Sequence, residues 1–342
     1  MNRSVNRIVN RLVILAPNWL GDAVMALPAI ADVRRAFPEA TITMAARSTV
    51  APLFAMVSDV DGTIVLPRAA SVMSPSTWQE LGSELAGGRF DAALLLPNSI
   101  HSALIASRAG IADVWGYRGN WRGRFLTRAV APPSGLHQVA YYQHLVNVLG
   151  CANGSSEPRV NVSSAAREAA RRLLTEASWD GRAPLVALAP GAAYGGAKKW
   201  PSVSFAELAS ALAADGISCV MVGSAADADT GQDVARASAG EGLLNLIGRT
   251  DLTTLAGVLS CCRTLVTNDS GAMHLAAAAG VSVTAVFGPT NERATRPLGD
   301  AHVVLTHDIW CRPCMLRECP LDHGCMRGVA AGTVLNATRR ML

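Results

Sequence analysis

The stretch Thr264–Gly280, TLVTNDSGAMHLAAAAG, decides how this chain is read. An apolar run, Thr264–Thr267, ends in Asn268-Asp269-Ser270-Gly271, and an Ala-rich helical pattern carrying His274 starts at once. A short buried strand turning directly into a helix is the corner of a parallel βαβ unit. This corner also gathers a carboxylate, a hydroxyl, a glycine and an imidazole. Ser270 and Gly271 fall in the first helical turn, where free backbone N–H groups point outward and suit phosphate. Asp269 would repel a diphosphate. It is better placed to accept hydroxyl hydrogen bonds from an attached sugar, or to cap its own helix. His274 lies one turn on from Ser270 and can share its face.

The same grammar runs outward in both directions. Strand candidates in the first half are Leu12–Ala16, Thr41–Ala45, Thr63–Leu66, Ala92–Leu96 and Val114–Tyr117, separated by helical patterns such as Asp22–Ala36 and Ser99–Ala109. In the second half they are Leu185–Ala189, Ser218–Val222, Leu243–Ile247, Thr264–Thr267 and Ser282–Phe287, with helices fitting at Ser204–Ala214 and Leu252–Leu259. Strict alternation of strand and helix predicts α/β structure with parallel, doubly wound sheets covered on both faces. The Ser-, Asn-, Gly- and Pro-rich segment CANGSSEPRVNVSS, 151–164, breaks the pattern and reads as a linker. The expected organisation is therefore two Rossmann-like domains, 1–160 and 161–328, facing across a cleft at the carboxyl ends of their strands, where such sheets bind ligands. A basic helical segment, 329–342, follows and has the option of packing back on the first domain.

Composition narrows the classes. The chain has 342 residues, half of them hydrophobic, and a formal charge of +4, too mild for a dedicated nucleic-acid binder. No run reaches the ~18 consecutive apolar residues of a membrane span. The N-terminal apolar run, Leu12–Ala16, is shorter than the roughly 7–15 residues of a secretory core. It reads as a first strand, and the expected location is the cytoplasm.

Three further corners carry polar residues. In APNWLGDAVMALPAI, 16–30, Asp22 sits at a helix start, either capping it or standing ready to take a proton from a hydroxyl. In LAPGAAYGGAKKWP, 188–201, small residues allow close backbone approach and Lys198 or Lys199 can reach a phosphate, although the P-loop order is absent. In VGSAADAD, 222–229, Gly223 and Ser224 precede acids suited to ribose hydroxyls or to capping. FGPTNERATRPLG, 287–299, adds Thr290. Together these corners favour a nucleotide-diphosphate ligand in the second half. Neither half has a Gly-x-Gly-x-x-Gly after its first strand, which weighs against a dinucleotide oxidoreductase.

The motifs GDAVMALPAI, AYGGAKKWP, NDSGAMHLAAAAG, FGPTNERATRPLG and CRPCMLRECPLDHGCM occur in this order along nearly the whole chain, which resembles the ADP-heptose:lipopolysaccharide heptosyltransferases. The Cys-rich tail and the Lys-Trp-Pro context point to the type II enzymes. The resemblance implies a GT-B fold and an inverting, metal-independent transferase of lipopolysaccharide core biosynthesis in Gram-negative bacteria, with no cofactor. It implies ADP-heptose as donor, a Kdo–lipid A–heptose acceptor, and peripheral attachment at the inner face of the cytoplasmic membrane. By motif, the base carboxylate falls on Asp22, the phosphate-contacting lysine on Lys198 and the donor-sugar carboxylate on Asp269. Ser270, Gly271 and His274 match the same donor motif, and Gly191, Tyr194, Gly223, Ser224 and Thr290 complete the candidate donor set. The family's Thr pair before the lysine is replaced here by Ala193 and Tyr194. Hydroxyls elsewhere or backbone N–H groups must then serve the phosphates.

Asn18 and Trp19 are candidate acceptor residues beside Asp22. GYRGNWRGRFLTR, 116–128, adds Arg118, Arg122 and Arg124, whose guanidinium forks suit Kdo carboxylates, lipid A phosphates or anionic lipid. A solvated loop, or stacking on nucleic-acid bases by Tyr117 and Trp121, are the other readings of that segment; the absence of a wider basic face argues against nucleic acid. Cys311, Cys314, Cys319 and Cys325 are spaced x2, x4 and x5. Reduced thiols in a loop near the cleft are expected, with a structural metal as the alternative.

Overall fold

The computed structural model describes residues 9–67, 75–238 and 242–342. The chain divides into two compact units, Met1–Pro158 and Arg159–Leu342, and the division falls inside the stretch read as a linker. In the first unit, β1 (Arg11–Leu15), β2 (Thr41–Arg47), β3 (Gly62–Leu66), β4 (Ala92–Leu95), β5 (Asp113–Tyr117) and β6 (Arg128–Val130) form one parallel sheet in the order β3-β2-β1-β4-β5-β6. In the second, β7 (Leu185–Ala189), β8 (Ser218–Met221), β9 (Leu243–Asn245), β10 (Thr264–Asn268), β11 (Ser282–Phe287) and β12 (His302–Thr306) form another in the order β12-β11-β10-β7-β8-β9. Counted within its own unit, each sheet has the order 3-2-1-4-5-6, the doubly wound arrangement expected. The order reverses between β1 and β4 in one unit and between β7 and β10 in the other. Chain leaves in opposite directions at these points, which opens a crevice at the carboxyl edge.

Central strands are buried along their whole length, as in β4, β7 and β10, because helices cover both faces of the sheet. Val186, Leu188, Val266 and Val286 from the second sheet pack with Trp200 and Phe205 in one core. Trp200 meets Phe205 edge-on at 4.9 Å between ring centroids, and its indole N–H donates to the Val329 carbonyl at 2.8 Å.

The structure departs from the sequence expectations, or adds to them, in four places. Each sheet has a sixth strand, β6 and β12, that the apolar runs did not reveal. Both are edge strands that bury little, so they lack the continuous apolar signature. The helix expected over 22–36 is two helices, Leu20–Met25 and Leu27–Ala36, because Pro28 has no N–H to bond back and its ring crowds the preceding turn. The C-terminal helix, Ala331–Arg339, packs on the helix Ser202–Ala214 and on β11 within its own unit. There Val334 is fully buried and Arg339 pairs with Asp215 at 2.7 Å. Finally, the linker is tied down at its start. Asp32, fully buried, pairs with Arg35 and accepts the Gly154 N–H at 3.0 Å and the Gln143 amide at 2.9 Å.

Among the described residues no helix is long and apolar enough to cross a membrane. The basic residues Arg3 and Arg7 ahead of β1 lie outside the described residues.

Candidate functional site

In the second unit, the loops after β7 and β10 meet at the point where the strand order reverses. Asn268, the last residue of β10, is fully buried and joins them. Its side-chain amide donates to the carbonyls of Pro190 (2.8 Å) and Gly191 (3.3 Å), and its Oδ1 accepts the Trp200 N–H at 3.0 Å. The sequence reading quoted Asn268 but gave it no role. Its signal is an amide at a strand's end, where both a donor and an acceptor are needed to satisfy neighbouring backbone.

The next residue, Asp269, carries the site's carboxylate. Its Oδ2 accepts from Lys198 Nζ at 2.5 Å and from the Thr290 hydroxyl at 2.7 Å. Asp269 and Thr290 are buried, and the Lys198 side chain is only 13% exposed. The three residues come from the loops after β10, β7 and β11, so the strand ends themselves assemble the cluster. Both of these bonds fall on Oδ2, so Asp269 Oδ1 is the oxygen that a ligand hydroxyl would meet. Lys198 Nζ also lies 4.6 Å from the centre of the Tyr194 ring, a cation–π contact, and the Tyr194 hydroxyl donates to the Met315 carbonyl at 2.9 Å.

Ser270 caps the helix Gly271–Ala278, accepting the Met273 N–H at 3.4 Å. The Thr267 and Ser270 hydroxyls lie 3.0 Å apart. Gly271 opens the helix with half-exposed backbone, whereas His274 is buried. At the neighbouring corner Ser224 and Asp227 form a capping box: Asp227 Oδ2 accepts from the Ser224 N–H at 2.9 Å and its hydroxyl at 2.7 Å. The acid after Gly223-Ser224, Asp227, is thereby used for capping, one of the two readings the sequence allowed it. The same carboxylate explains Gly191, since a Cβ there would lie 2.2 Å from Asp227 Cγ.

The Cys-rich segment lies against the Lys198 loop. The Arg317 carbonyl accepts the Ala197 N–H at 2.9 Å, and Glu318 accepts the Gly196 N–H at 3.0 Å. Gly195 has φ +155° and passes so close that a Cβ would lie 2.3 Å from the Arg317 carbonyl oxygen. Arg312 anchors the segment through the Gly288 carbonyl and Glu292, both at 2.7 Å. The four thiols are free. Burial first, and then the Cys311, Cys314 and Cys319 thiols, push the Cys325 thiol up. Among the described residues no three His, Cys, Asp or Glu side chains are arranged to hold a metal ion.

In the first unit, Asn18 and Trp19 are exposed on the loop after β1, and Asp22 is half-buried in the first turn of the helix Leu20–Met25. Burial and then the nearby Asp22 carboxylate push the Tyr142 hydroxyl up. Beside Asn18 a crevice is lined by Arg47, Trp78, Ser99 and His101, whose buried Nε2 has no hydrogen-bond partner among the described residues. Neither Arg47 nor His101 was singled out from sequence, because each stands alone in its local context.

The arginine-rich segment splits into two kinds of residue. Arg118 and Arg124 are exposed, as is Trp121. Arg128 instead pairs with Asp113 at 3.1 Å and stacks on Trp115. Arg122 departs from the acceptor-binding expectation because it is fully buried. Its guanidinium donates to the carbonyls of Tyr117 (2.7 Å) and Pro97 and so pins the end of β5 to the end of β4. Burial pulls its pKa down to about 10. Arg122→Ala removes both bonds, leaves the Pro97 carbonyl only the Ser102 hydroxyl at 3.2 Å, and is expected to cost about 2–4 kcal/mol of stability. A urea unfolding midpoint equal to that of the wild type would contradict this structural role.

These features can be set beside known proteins. Residues 78–324 match the family described as glycosyltransferase family 9 (heptosyltransferase). The chain belongs to that family. It is 31% identical over 297 residues to lipopolysaccharide heptosyltransferase 2 of Salmonella typhimurium, covering 84% of this chain and 85% of that protein. It is 30% identical over 300 residues to the Escherichia coli K12 protein of the same name, with the same coverage. The solved structure of E. coli ADP-heptose lps heptosyltransferase II superimposes with a TM-score of 0.83 at 28% identity, covering 97% of this chain and 98% of that one. This glycosyltransferase of family 9 therefore has the GT-B α/β architecture expected from its sequence.

Proposed function

We propose that this family 9 enzyme transfers heptose from ADP-heptose to the first heptose of the lipopolysaccharide inner core, with inversion at the anomeric carbon. The observation that carries this reading is the Lys198–Asp269–Thr290 cluster at the strand-order reversal of the second sheet, beside the half-buried start of the helix Gly271–Ala278. Lys198 and the backbone N–H groups at Gly271 stabilise the negative charge that grows on the departing ADP. Asp269 Oδ1 accepts a hydroxyl hydrogen bond from the donor sugar.

In the first unit Asp22 accepts the proton of the acceptor hydroxyl as that oxygen attacks the anomeric carbon. The carboxylate then carries the proton, the new glycosidic bond replaces the bond to phosphate, and ADP leaves with the electron pair. Asn18, Trp19 and the crevice at Arg47 and His101 support acceptor binding on this unit. The exposed Arg118 and Arg124 beside Trp121 suit an anionic acceptor and the anionic inner face of the cytoplasmic membrane that presents it.

The test is incubation with ADP-heptose and purified acceptors carrying zero, one or two heptoses, read by mass. Gain of one heptose on the one-heptose acceptor alone is expected. Gain only on the heptose-free acceptor would reassign the enzyme to the first transfer. Donor binding without any transfer would make it a binding protein.

A further inference from the structure

The lysine of the donor site is already committed to a carboxylate. Lys198 is the residue expected to meet the diphosphate, yet its ammonium already pairs with Asp269 at 2.5 Å. That pair is close to neutral as a unit, so on its own it attracts a dianionic diphosphate weakly. The residues just before this lysine, Gly195, Gly196 and Ala197, carry no side-chain hydroxyl. A second cation is needed, and the structure presents one from a distant part of the chain.

Arg317, in the Cys-rich segment, places its guanidinium carbon 5.2 Å from the centre of the Tyr194 ring. Lys198 Nζ lies 4.6 Å from the same centre. The sum of these two distances bounds the separation of the charges and is within the reach of a diphosphate with its hydrogen bonds. Arg317 is exposed and forms no ion pair among the described residues. The adjacent carboxylate, Glu318, is turned to the Gly196 N–H. The position of Arg317 is fixed by its backbone, because its carbonyl accepts the Ala197 N–H one residue before Lys198. Two cations are collected on one aromatic ring, and of the two the Arg317 guanidinium is the one not tied to a carboxylate. A guanidinium there can hold two phosphate oxygens at once, which an ammonium cannot.

We infer that Arg317 is a second diphosphate-binding residue of the donor site, supplied by the Cys-rich segment. It grips the phosphates while Lys198 stays paired with Asp269. This rests on the donor-site reading above, and its test can fail separately from that reading.

The experiment measures affinities of the full-length protein for ADP, AMP and adenosine by calorimetry, for wild type, Arg317→Gln, Arg317→Lys and Lys198→Ala. Arg317→Gln is expected to weaken ADP binding about tenfold or more, as for loss of a charge-assisted hydrogen bond. AMP should weaken less and adenosine not at all, and Arg317→Lys should recover part of the loss. ADP affinity unchanged in Arg317→Gln but reduced in Lys198→Ala would overturn the inference and leave the donor site standing. Equal losses for ADP and adenosine would overturn it too, because the arginine would then be holding the loop rather than the phosphates. No ADP binding by wild type would remove the donor-site reading itself, and this inference with it.

Discussion

Asp22→Asn is expected to lower kcat by roughly 10²- to 10⁴-fold, the usual contribution of a positioned general base, while ADP-heptose binds as before. The amide matches the carboxylate in shape but cannot accept the proton of the attacking hydroxyl. Its structural cost is small. Asp22 sits in the first turn of the helix Leu20–Met25, where a carboxylate contributes about 0.3–1 kcal/mol through the helix dipole. Donor binding is assigned to the other unit, so the loss should appear in turnover and not in calorimetric ADP affinity. Turnover near the wild-type rate would remove Asp22 from the mechanism and leave only its contribution to the helix dipole. A fall in unfolding midpoint large enough to empty the folded state would mean that the lost activity reports folding.

The second large effect is expected at Lys198. Lys198→Ala should lower kcat by roughly 10²- to 10³-fold, as for removal of one charge-stabilising donor, and weaken ADP binding as well. The pairing with Asp269 makes this variant worse than a simple loss of contact. Asp269 is 8% exposed, and without Lys198 its carboxylate faces the diphosphate uncompensated. Asp269→Asn in the Lys198→Ala background should therefore recover part of the ADP affinity while turnover stays low. Two single effects that simply add would show that the ion pair does not couple the residues. Donor affinity and rate both unchanged in Lys198→Ala would contradict the phosphate role altogether.

Much of this site was legible in the sequence because a doubly wound sheet delivers its ligand residues at strand-to-helix corners. Asp22, Lys198, Asp269, Ser270 and Thr290 all lie in the corners that follow apolar runs, and the structure brings Lys198 and Thr290 together on the Asp269 carboxylate. Other features had no local sign. Arg122 and Arg124 are two residues apart in one basic segment, yet one is fully buried among carbonyls and the other is exposed. Gln143 and Gly154 have no charge or periodicity to mark them, yet both close on the buried carboxylate of Asp32. The two edge strands, β6 and β12, were missed because strands that bury little do not present a continuous apolar run.

The sequence by itself determined the two-unit α/β plan and the chemical groups at each corner. Both are written in contiguous residues: an apolar run makes the strand, and the capping and glycine residues after it make the turn. Only the tertiary structure decided which charges meet. Lys198 and Asp269 are 71 residues apart, and Gly196 and Glu318 are 122 apart. Such contacts are selected by strand order and by the packing of distant loops, so no window of sequence contains both partners. That is why the paired state of Lys198 and the approach of Arg317 to its loop came from the fold alone.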